Sequence, residues 1–328
     1  MSECVLCNGV LEDKILEGIN NGDKIYEVFF CRRCKTGSTV PVPTSAELSR
    51  LYGAGSYRAS GGKRFNPVIE FFILLSRHLR RKRIERYIGQ GRMLDIGCGR
   101  GLFLDVMRRR GWEVTGVEFD KEVALRAAET YNIKVISGGP AEWGLPAESF
   151  DVITLSHVLE HVYDPAEMIR ECSKIIRKGG LVVVALPNMG SLQASVGKAG
   201  WFHLDVPYHL HHFTEEGLTG LLHKNCLRKV KVRHFDLEYN FFGWLQTLLN
   251  ISGTSMNFLY EVLKSAEVRK KKLAESKKRD LLLTLALLPF YLPLSFLLSF
   301  FESFVLKRGG TIEVYAVREQ PHKGGCAE

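Results

Sequence analysis

The sequence predicts an α/β protein: a central, mostly parallel sheet flanked by helices, with a small cysteine-bearing module ahead of it. Three observations predict this. Apolar runs of strand length alternate with stretches of helical periodicity between Met93 and Leu186. The first of those runs breaks through Gly97, Gly99 and Gly101 before helical spacing resumes at Leu102, Phe103, Leu104 and Val106. Two Cys-x-x-Cys pairs stand near the amino terminus.

The cysteine module comes first. Cys4 and Cys7 form one pair, Cys31 and Cys34 the other. Four thiolates suit a tetrahedral Zn2+ ion, and a two-residue gap lets both sulfurs of a knuckle face one metal. Four cysteines leave no open coordination position, so the expected zinc is structural. Gly9 and Gly37 supply turns, and Lys24 to Phe30 (KIYEVFF) reads as a strand. Pro41-Val42-Pro43 ends the module. Tyr52 to Lys63 is glycine-rich and reads as a loop, and Phe71 to Tyr87 as a helix with an apolar and a basic face.

Met93 to Phe103 reads MLDIGCGRGLF: a buried strand, a glycine turn and a helix start. A missing Cβ lets backbone and ligand approach closely, and the first N–H groups of a helix have no partner within it. A dinucleotide fingerprint would want glycine where Leu102 stands. The pattern resembles instead the first motif, Asp/Glu-x-Gly-x-Gly-x-Gly, of class I S-adenosylmethionine-dependent methyltransferases, with Asp95, Gly97, Gly99 and Gly101 at its positions. The resemblance implies a seven-stranded Rossmann-like methyltransferase sheet of order 3-2-1-4-5-7-6 behind the zinc ribbon. It also implies S-adenosyl-L-methionine as cofactor, lined by Asp95, Gly97, Cys98, Gly99 and Gly101, with Tyr57 and Arg58 of the glycine-rich loop as lid candidates.

The remaining strands follow in order. Trp112 to Glu118 is the second; its terminal acid lies about 20 residues past the turn, the usual place for a carboxylate that holds ribose hydroxyls. Phe119 is expected against the adenine. Ile133 to Ile136 is the third strand, and Ala141 and Glu142 occupy the loop that lines the adenine edge in the family, behind Gly138-Gly139-Pro140 where many relatives carry an Asp. Phe150 to Leu155 is the fourth, with Ser156 at its carboxyl end beside the cofactor. A helix from Pro165 to Arg177, closed by Lys178-Gly179-Gly180, leads to the apolar fifth strand, Leu181 to Leu186. Arg228 to Asp236 is the sixth, and Gly310 to Arg318 the seventh, antiparallel one.

Histidines mark the acceptor side. Asp205 to Thr214 (DVPYHLHHFT) resembles a branch of the family in which this segment covers the substrate. Histidine takes a proton near neutral pH, which makes His209 the first-choice base and His212 the second. His157 borders the reacting methyl. The alternative, that these imidazoles only hydrogen-bond the loop, stays open. His157, Glu160 and His161 form His-x-x-Glu-His. Ubiquinone-biosynthesis O-methyltransferases are similar here, with Glu-x-x-Glu-His implicated in binding a divalent ion; Glu160 and His161 match, and His157 departs from a set that magnesium would prefer to be oxygen.

Between the sixth and seventh strands stands an apolar insertion. Tyr239 to Leu249 is aromatic and apolar, Arg269 to Arg279 is basic, and Leu281 to Phe301 carries no charge. That length would cross a bilayer, which takes about 20 apolar residues, yet a single crossing would strand the seventh strand on the wrong side. The segment is therefore expected to bend at Pro289 and Pro293 into a re-entrant hairpin, to lie in the interface, or to pack as a helical pair against Tyr239 to Leu249. The basic flanks favour anionic lipid, at ~1 kcal/mol per residue near such a surface.

The net charge of +9 gathers at Arg77–Arg86, Arg108–Arg110 and Arg269–Arg279, on solvated faces or against acidic partners. No amino-terminal apolar leader is seen, so a cytoplasmic location is expected, peripheral on the inner face of the membrane. The predicted organisation is a zinc ribbon over 1–43, a lid, linker and leading helix over 44–90, the cofactor-binding α/β domain over 91–238, the apolar helical insertion over 239–308 and the closing strand over 309–320. The predicted activity is methyl transfer to a hydroxyl of a small-molecule, lipid-like or lipid-linked acceptor. An RNA methyltransferase and a non-catalytic, membrane-docked scaffold are the alternatives. Nucleic acid is not the expected partner, because Ser156-His157-Val158 replaces the Asn/Asp-Pro-Pro-Tyr of amino-methylating nucleic-acid enzymes.

Overall fold

The computed structural model describes residues 3–21, 24–54 and 65–319. Tyr57 and Arg58 lie outside them. The chain opens with an antiparallel meander, β1 (Asp13–Asn21), β2 (Lys24–Cys31) and β3 (Thr36–Val40), followed by α1 (Ser45–Ala54) and α2 (Pro67–Ile84). Asn66 accepts the N–H groups of Val68 and Ile69, and Pro67 stands where its missing N–H costs nothing, so α2 starts there. The α/β body then runs β4 (Arg92–Ile96), α3 (Leu102–Arg108), β5 (Glu113–Glu118), α4 (Lys121–Tyr131), β6 (Lys134–Ser137), β7 (Phe150–Ser156), α5 (Pro165–Ile175) and β8 (Ile176–Pro187). It continues through α6 (Leu192–Gly197), β9 (His211–Phe213), α7 (Glu215–Lys224) and β10 (Leu227–Arg233). The insertion supplies α8 (Asn240–Ile251), α9 (Phe258–Leu263), α10 (Ala266–Glu275) and α11 (Lys278–Phe300), and β11 (Thr311–Arg318) closes the fold.

The main sheet has seven strands in the order β10-β11-β8-β7-β4-β5-β6. Its inner pairs are parallel, and β11 is antiparallel to both β8 and β10. Counted within this sheet and read from the β6 edge, the order is the predicted 3-2-1-4-5-7-6. Side chains alternate across it. Leu94, Ile96, Ile153, Leu155, Val182 and Val184 pack with Met168, Ile169 and Leu222 on one face. Met93, Val152, Leu181 and Val183 pack with Ile84, Phe103, Met107 and Trp112 on the other. A strand covered on both faces reads as a continuous apolar run, which is why Leu181 to Leu186 carries no polar residue.

Three expectations need correcting. The helix before β8 ends at Ile175, not Arg177, and Lys178-Gly179-Gly180 lies inside β8, where the register against β7 slips between Phe150↔Ile176 and Val152↔Leu181. The basic run Arg77–Arg86 is only in part a solvated face: His78, Lys82 and Arg86 are exposed, but Arg80 and Arg81 are buried, Arg80 Nε donates to Glu313 Oε1 at 2.8 Å, Arg83 to Glu313 Oε2 at 3.1 Å and Arg77 to Glu238 at 2.7 Å. Arg108 and Arg109 both hold Asp105. Finally, Pro289 and Pro293 do not make a hairpin. They stand inside one continuous helix, α11, which packs along α8 and unwinds into a π-helical turn over Phe301–Leu306.

A further pairing was not foreseen. β9 belongs to the predicted acceptor segment, and it adds to the amino-terminal meander as a fourth strand, in the order β1-β2-β3-β9.

Candidate active site

The carboxyl ends of β4, β5 and β7 meet at one edge of the sheet, where open α/β sheets bind ligands. Gly97, Gly99 and Gly101 turn the chain there with φ of 71°, 52° and 75°. A Cβ on Gly97 would lie 2.3 Å from Val158 Cγ2, so a side chain is excluded both by the backbone and by its neighbour. Glu118, ending β5, reaches back to this turn: its Oε2 accepts the Gly99 N–H at 2.8 Å. Its Oε1 accepts from the N–H groups of Phe119 (2.8 Å) and Asp120 (3.2 Å). Burial raises its pKa against those three donors.

The other predicted cofactor residues surround this pair. Ser156 ends β7, and its Oγ accepts from Arg80 Nη1 at 2.5 Å. Asp95 is turned into the sheet and bonded by the Thr154 hydroxyl; burial lifts its pKa to about 6. It stiffens β4 against β7 rather than facing outward. Cys98 is buried with its thiol pKa raised by desolvation. Phe119, Ala141 and Glu142 are exposed at the rim, and Glu142 Oε2 accepts the Gly139 N–H at 2.8 Å.

The three predicted histidines are not equivalent. His157 follows Ser156 directly, with φ 54°. Its Nδ1 is 3.3 Å from Glu160 Oε1, its ring lies 4.3 Å from that of Tyr239, and its side chain is 20% exposed. Its Nε2 is itself buried and has no hydrogen-bond partner among the described residues. His209 is buried, with Nδ1 2.9 Å from the His203 carbonyl and its ring 4.6 Å from His161; burial depresses its pKa well below the ordinary value. His212 is buried against the amino-terminal module, Nε2 3.0 Å from Thr39 Oγ1, and burial pushes its pKa down to about 3. Thr39 also donates its hydroxyl to the His209 carbonyl at 2.6 Å. Glu160, His161 and His209 can bring one ligand atom each to within 4.8 Å of one another.

Sequence reasoning missed several residues of this site. Arg80 shares a buried stripe with Ile73, Ser76 and Ile84, and that helical spacing was a readable signal for an arginine at a core position. His203, pushed to about 3 by burial, and Tyr239, pushed well above 10, join this cluster, the Tyr239 ring lying 4.3 Å from that of His157 and 6.0 Å from that of His203. No local pattern marks them, because the insertion folds back to bring Tyr239 in.

In the amino-terminal module the four sulfurs of Cys4, Cys7, Cys31 and Cys34 lie within 4.8 Å of one another, with Cys4 to Cys34 and Cys7 to Cys31 at 3.5 Å. Tetrahedral ligation at about 2.3 Å per sulfur requires separations just under 4 Å, so the cluster fits the predicted ion. Gly9 leaves room for it: a Cβ there would sit 3.2 Å from Cys7 Sγ and 3.4 Å from Cys31 Sγ.

A family model described as "Methyltransferase domain" matches residues 69–232, half of the chain. The chain belongs to that family, the class I S-adenosylmethionine-dependent methyltransferases. The match takes in the whole cofactor edge, while the cysteine module, the insertion and β11 lie outside it. Among curated relatives, this methyltransferase is 37% identical over 124 residues to a ubiquinone biosynthesis O-methyltransferase of Caulobacter sp., covering 33% of this chain and 46% of that protein. It is 30% identical over 131 residues to a "probable S-adenosylmethionine-dependent methyltransferase" of Mycobacterium tuberculosis, covering 40% of this chain and 46% of that protein. The chain thus spans about half the length of the curated relatives it matches. A solved S-adenosylmethionine-dependent methyltransferase from Archaeoglobus fulgidus is 22% identical, with 75% of this chain and 94% of that chain covered and a TM-score of 0.47.

Proposed function

We propose that this protein methylates a hydroxyl of a small, lipid-like or lipid-linked acceptor at the cytoplasmic face of a membrane, using S-adenosylmethionine and a structural zinc ion held by Cys4, Cys7, Cys31 and Cys34. The observation that carries the reading is the bond from the Gly99 N–H to Glu118, which fixes glycine turn and acid at one sheet edge beside Ser156 and His157. The relatives named as O-methyltransferases support a hydroxyl acceptor.

When bound, the cofactor supplies a methyl carbon already activated by its positive sulfur. The chain's own residues do the rest. Gly97, Gly99 and Gly101 let backbone approach the ligand, Glu118 takes the ribose hydroxyls, and Phe119, Ala141 and Glu142 border the base. Arg80 beneath Ser156 holds the end of β7 in place. His157 receives the acceptor's proton at Nε2, and Glu160 steadies the charged ring through Nδ1. This places His157 ahead of His209, which closes the wall behind it, and of His212, whose Nε2 lies against Thr39. Tyr239 and His203 exclude water from the acceptor side.

The test is purified protein incubated with isotope-labelled methyl donor and lipid or glycolipid extracts, read by untargeted mass spectrometry. A labelled hydroxyl-bearing lipid is expected, and His157→Gln should lower turnover by roughly 10²–10⁴-fold while donor affinity stays within about twofold. Label confined to protein or nucleic acid, or full activity in His157→Gln, would overturn the assignment.

A further inference from the structure

Helix α11 wears its polarity inside out. The residues it turns toward α8 and the body are Asp280, Thr284, Ser295 and Ser299, continued by Glu302 and Ser303, and all are buried. The residues it turns outward are Leu282 (67% exposed), Phe290 (71%), Phe296 (63%) and Leu297 (68%). A helix on a water-facing surface shows the reverse pattern. Small and polar residues at the helix contact with apolar residues outside is the arrangement of a helix in lipid. A core helix of the same composition would be mostly covered; only 11% of this one's most apolar stretch is buried.

Both ends of α11 are tied to one body. At its start, Asp280 accepts from the Ser255 N–H (2.9 Å) and hydroxyl (2.7 Å), and midway along the helix Tyr291 meets the Ser252 hydroxyl at 2.7 Å. That end of α8 is itself held by Asn250, which donates to the Gly200 carbonyl at 2.9 Å, just after α6. At the other end, Glu302 accepts from the Gln193 N–H of α6 and from Trp244 Nε1, both at 2.8 Å, before the chain enters β11. A helix tied at its start to the loop after α8 and at its end to α6 and α8 lies along the molecule and has no free end to send across a bilayer. Lys277, Lys278 and Arg279 precede its apolar stretch, and Lys307 and Arg308 follow it, so cations flank it at both ends, the placement that suits anionic headgroups.

We infer that α11 is an in-plane anchor that sinks its outward half into one leaflet of an anionic membrane and does not cross it. The inference rests on the membrane part of the function proposed above and is independent of methyl transfer. It also gives that function a route. Tyr239, whose ring lies 4.3 Å from His157, stands two residues before Phe241, whose ring lies 4.5 Å from Phe296 of the anchor. The acceptor wall and the leaflet are therefore neighbours, and an acceptor with its tail in the membrane reaches His157 without leaving it.

The experiment uses the full chain and no methyl donor. The protein is floated with vesicles of phosphatidylcholine alone or mixed with phosphatidylglycerol. An environment-sensitive fluorescent amino acid is then placed singly at Leu282, Phe290 or Leu297 and quenched by lipids brominated at known acyl depths. Co-flotation with the anionic vesicles is expected, with at least a tenfold loss in the Phe290→Glu, Leu297→Glu double variant. All three probes should report one shallow depth. No flotation, or a depth greatest at Phe290 and small at both ends, would overturn the proposal. So would a dimer that the double variant turns monomeric without any vesicle binding. S-adenosylhomocysteine affinity of the same samples separates the two readings: intact affinity without flotation sinks only the anchor, and flotation without affinity sinks only the methyltransferase.

Discussion

The two sides of the proposed reaction centre are built differently. The donor side is assembled by neighbours in sequence: the turn at Gly97 to Gly101 and Glu118 sit on adjacent strands of one βαβ unit and bond directly. The acceptor side is assembled from afar. Thr39 of the cysteine module bonds the His209 carbonyl 170 residues on, and Tyr239 arrives from the insertion to meet His157. A βαβ unit specifies its own geometry. A wall drawn from three distant segments depends on each of them staying folded. Damage to the donor side should therefore appear as lost cofactor affinity or lost stability, and damage to the acceptor side as lost turnover with affinity kept.

The largest expected effect falls where the two sides share a support. Arg80 pairs with Glu313, lies 3.8 Å from Asp236 and holds Ser156. Arg80→Met leaves two buried carboxylates facing an apolar side chain, and removing one partner of a buried pair costs about 3–5 kcal/mol. Urea unfolding should show a loss of that order; a loss below about 1 kcal/mol would mean the arginine is not the keystone of the edge. Next comes the ribbon. Withdrawing the proposed zinc ion with a chelator, or Cys31→Ser, should unseat β3 and with it β9. Turnover should fall by about tenfold or more, ~1.4 kcal/mol in the barrier, while S-adenosylhomocysteine affinity changes less than about twofold. Parallel loss of affinity would contradict the division. Gly97→Ala meets Val158 and an unfavourable φ, a penalty of about 1–3 kcal/mol, measurable as a lower denaturation midpoint.

The smallest effect is a pH slope. Folded His212 stays neutral down to about pH 3, whereas an unfolded imidazole protonates near 6.5. The unfolded chain therefore binds the extra proton between those values, and stability is lost as pH falls below about 6.5. Asp205, raised to about 7 by desolvation, acts in the opposite sense, so only a difference isolates the histidine. Between pH 7 and 5.5 the wild type should lose about 1 kcal/mol more than His212→Gln; equal slopes would show that His212 is not held neutral.

How much of this was legible follows the same division. The strands themselves, the glycine turn and the acid of β5 are carried by local periodicity and spacing; the order of the seven strands came only from the resemblance to the methyltransferase family, and the structure bears it out. The cysteine cluster was legible from spacing alone. The pairing of β3 with β9 was not, because a three-residue strand with two histidines carries no apolar alternation that names a partner. Arg80 was misread as a surface charge because its partners, Glu313 and Asp236, are supplied from more than 150 residues away. The end of α5 was misplaced for a local reason: Gly179 and Gly180 suit a helix stop, and here they serve a strand bulge. The insertion was half legible. Its length and lack of charge were plain, but the direction in which Thr284, Ser295 and Ser299 point is set by α8, which only the folded chain reveals.

The central claim is that the turn at Gly97 to Gly101 and Glu118 form one donor pocket, and calorimetric titration with S-adenosylhomocysteine tests it most directly. The wild-type chain should bind saturably at one site, and Glu118→Ala, which removes a half-buried acceptor of three N–H groups, should bind at least about tenfold more weakly. No measurable affinity in the folded wild type, or equal affinity in the variant, would contradict the account.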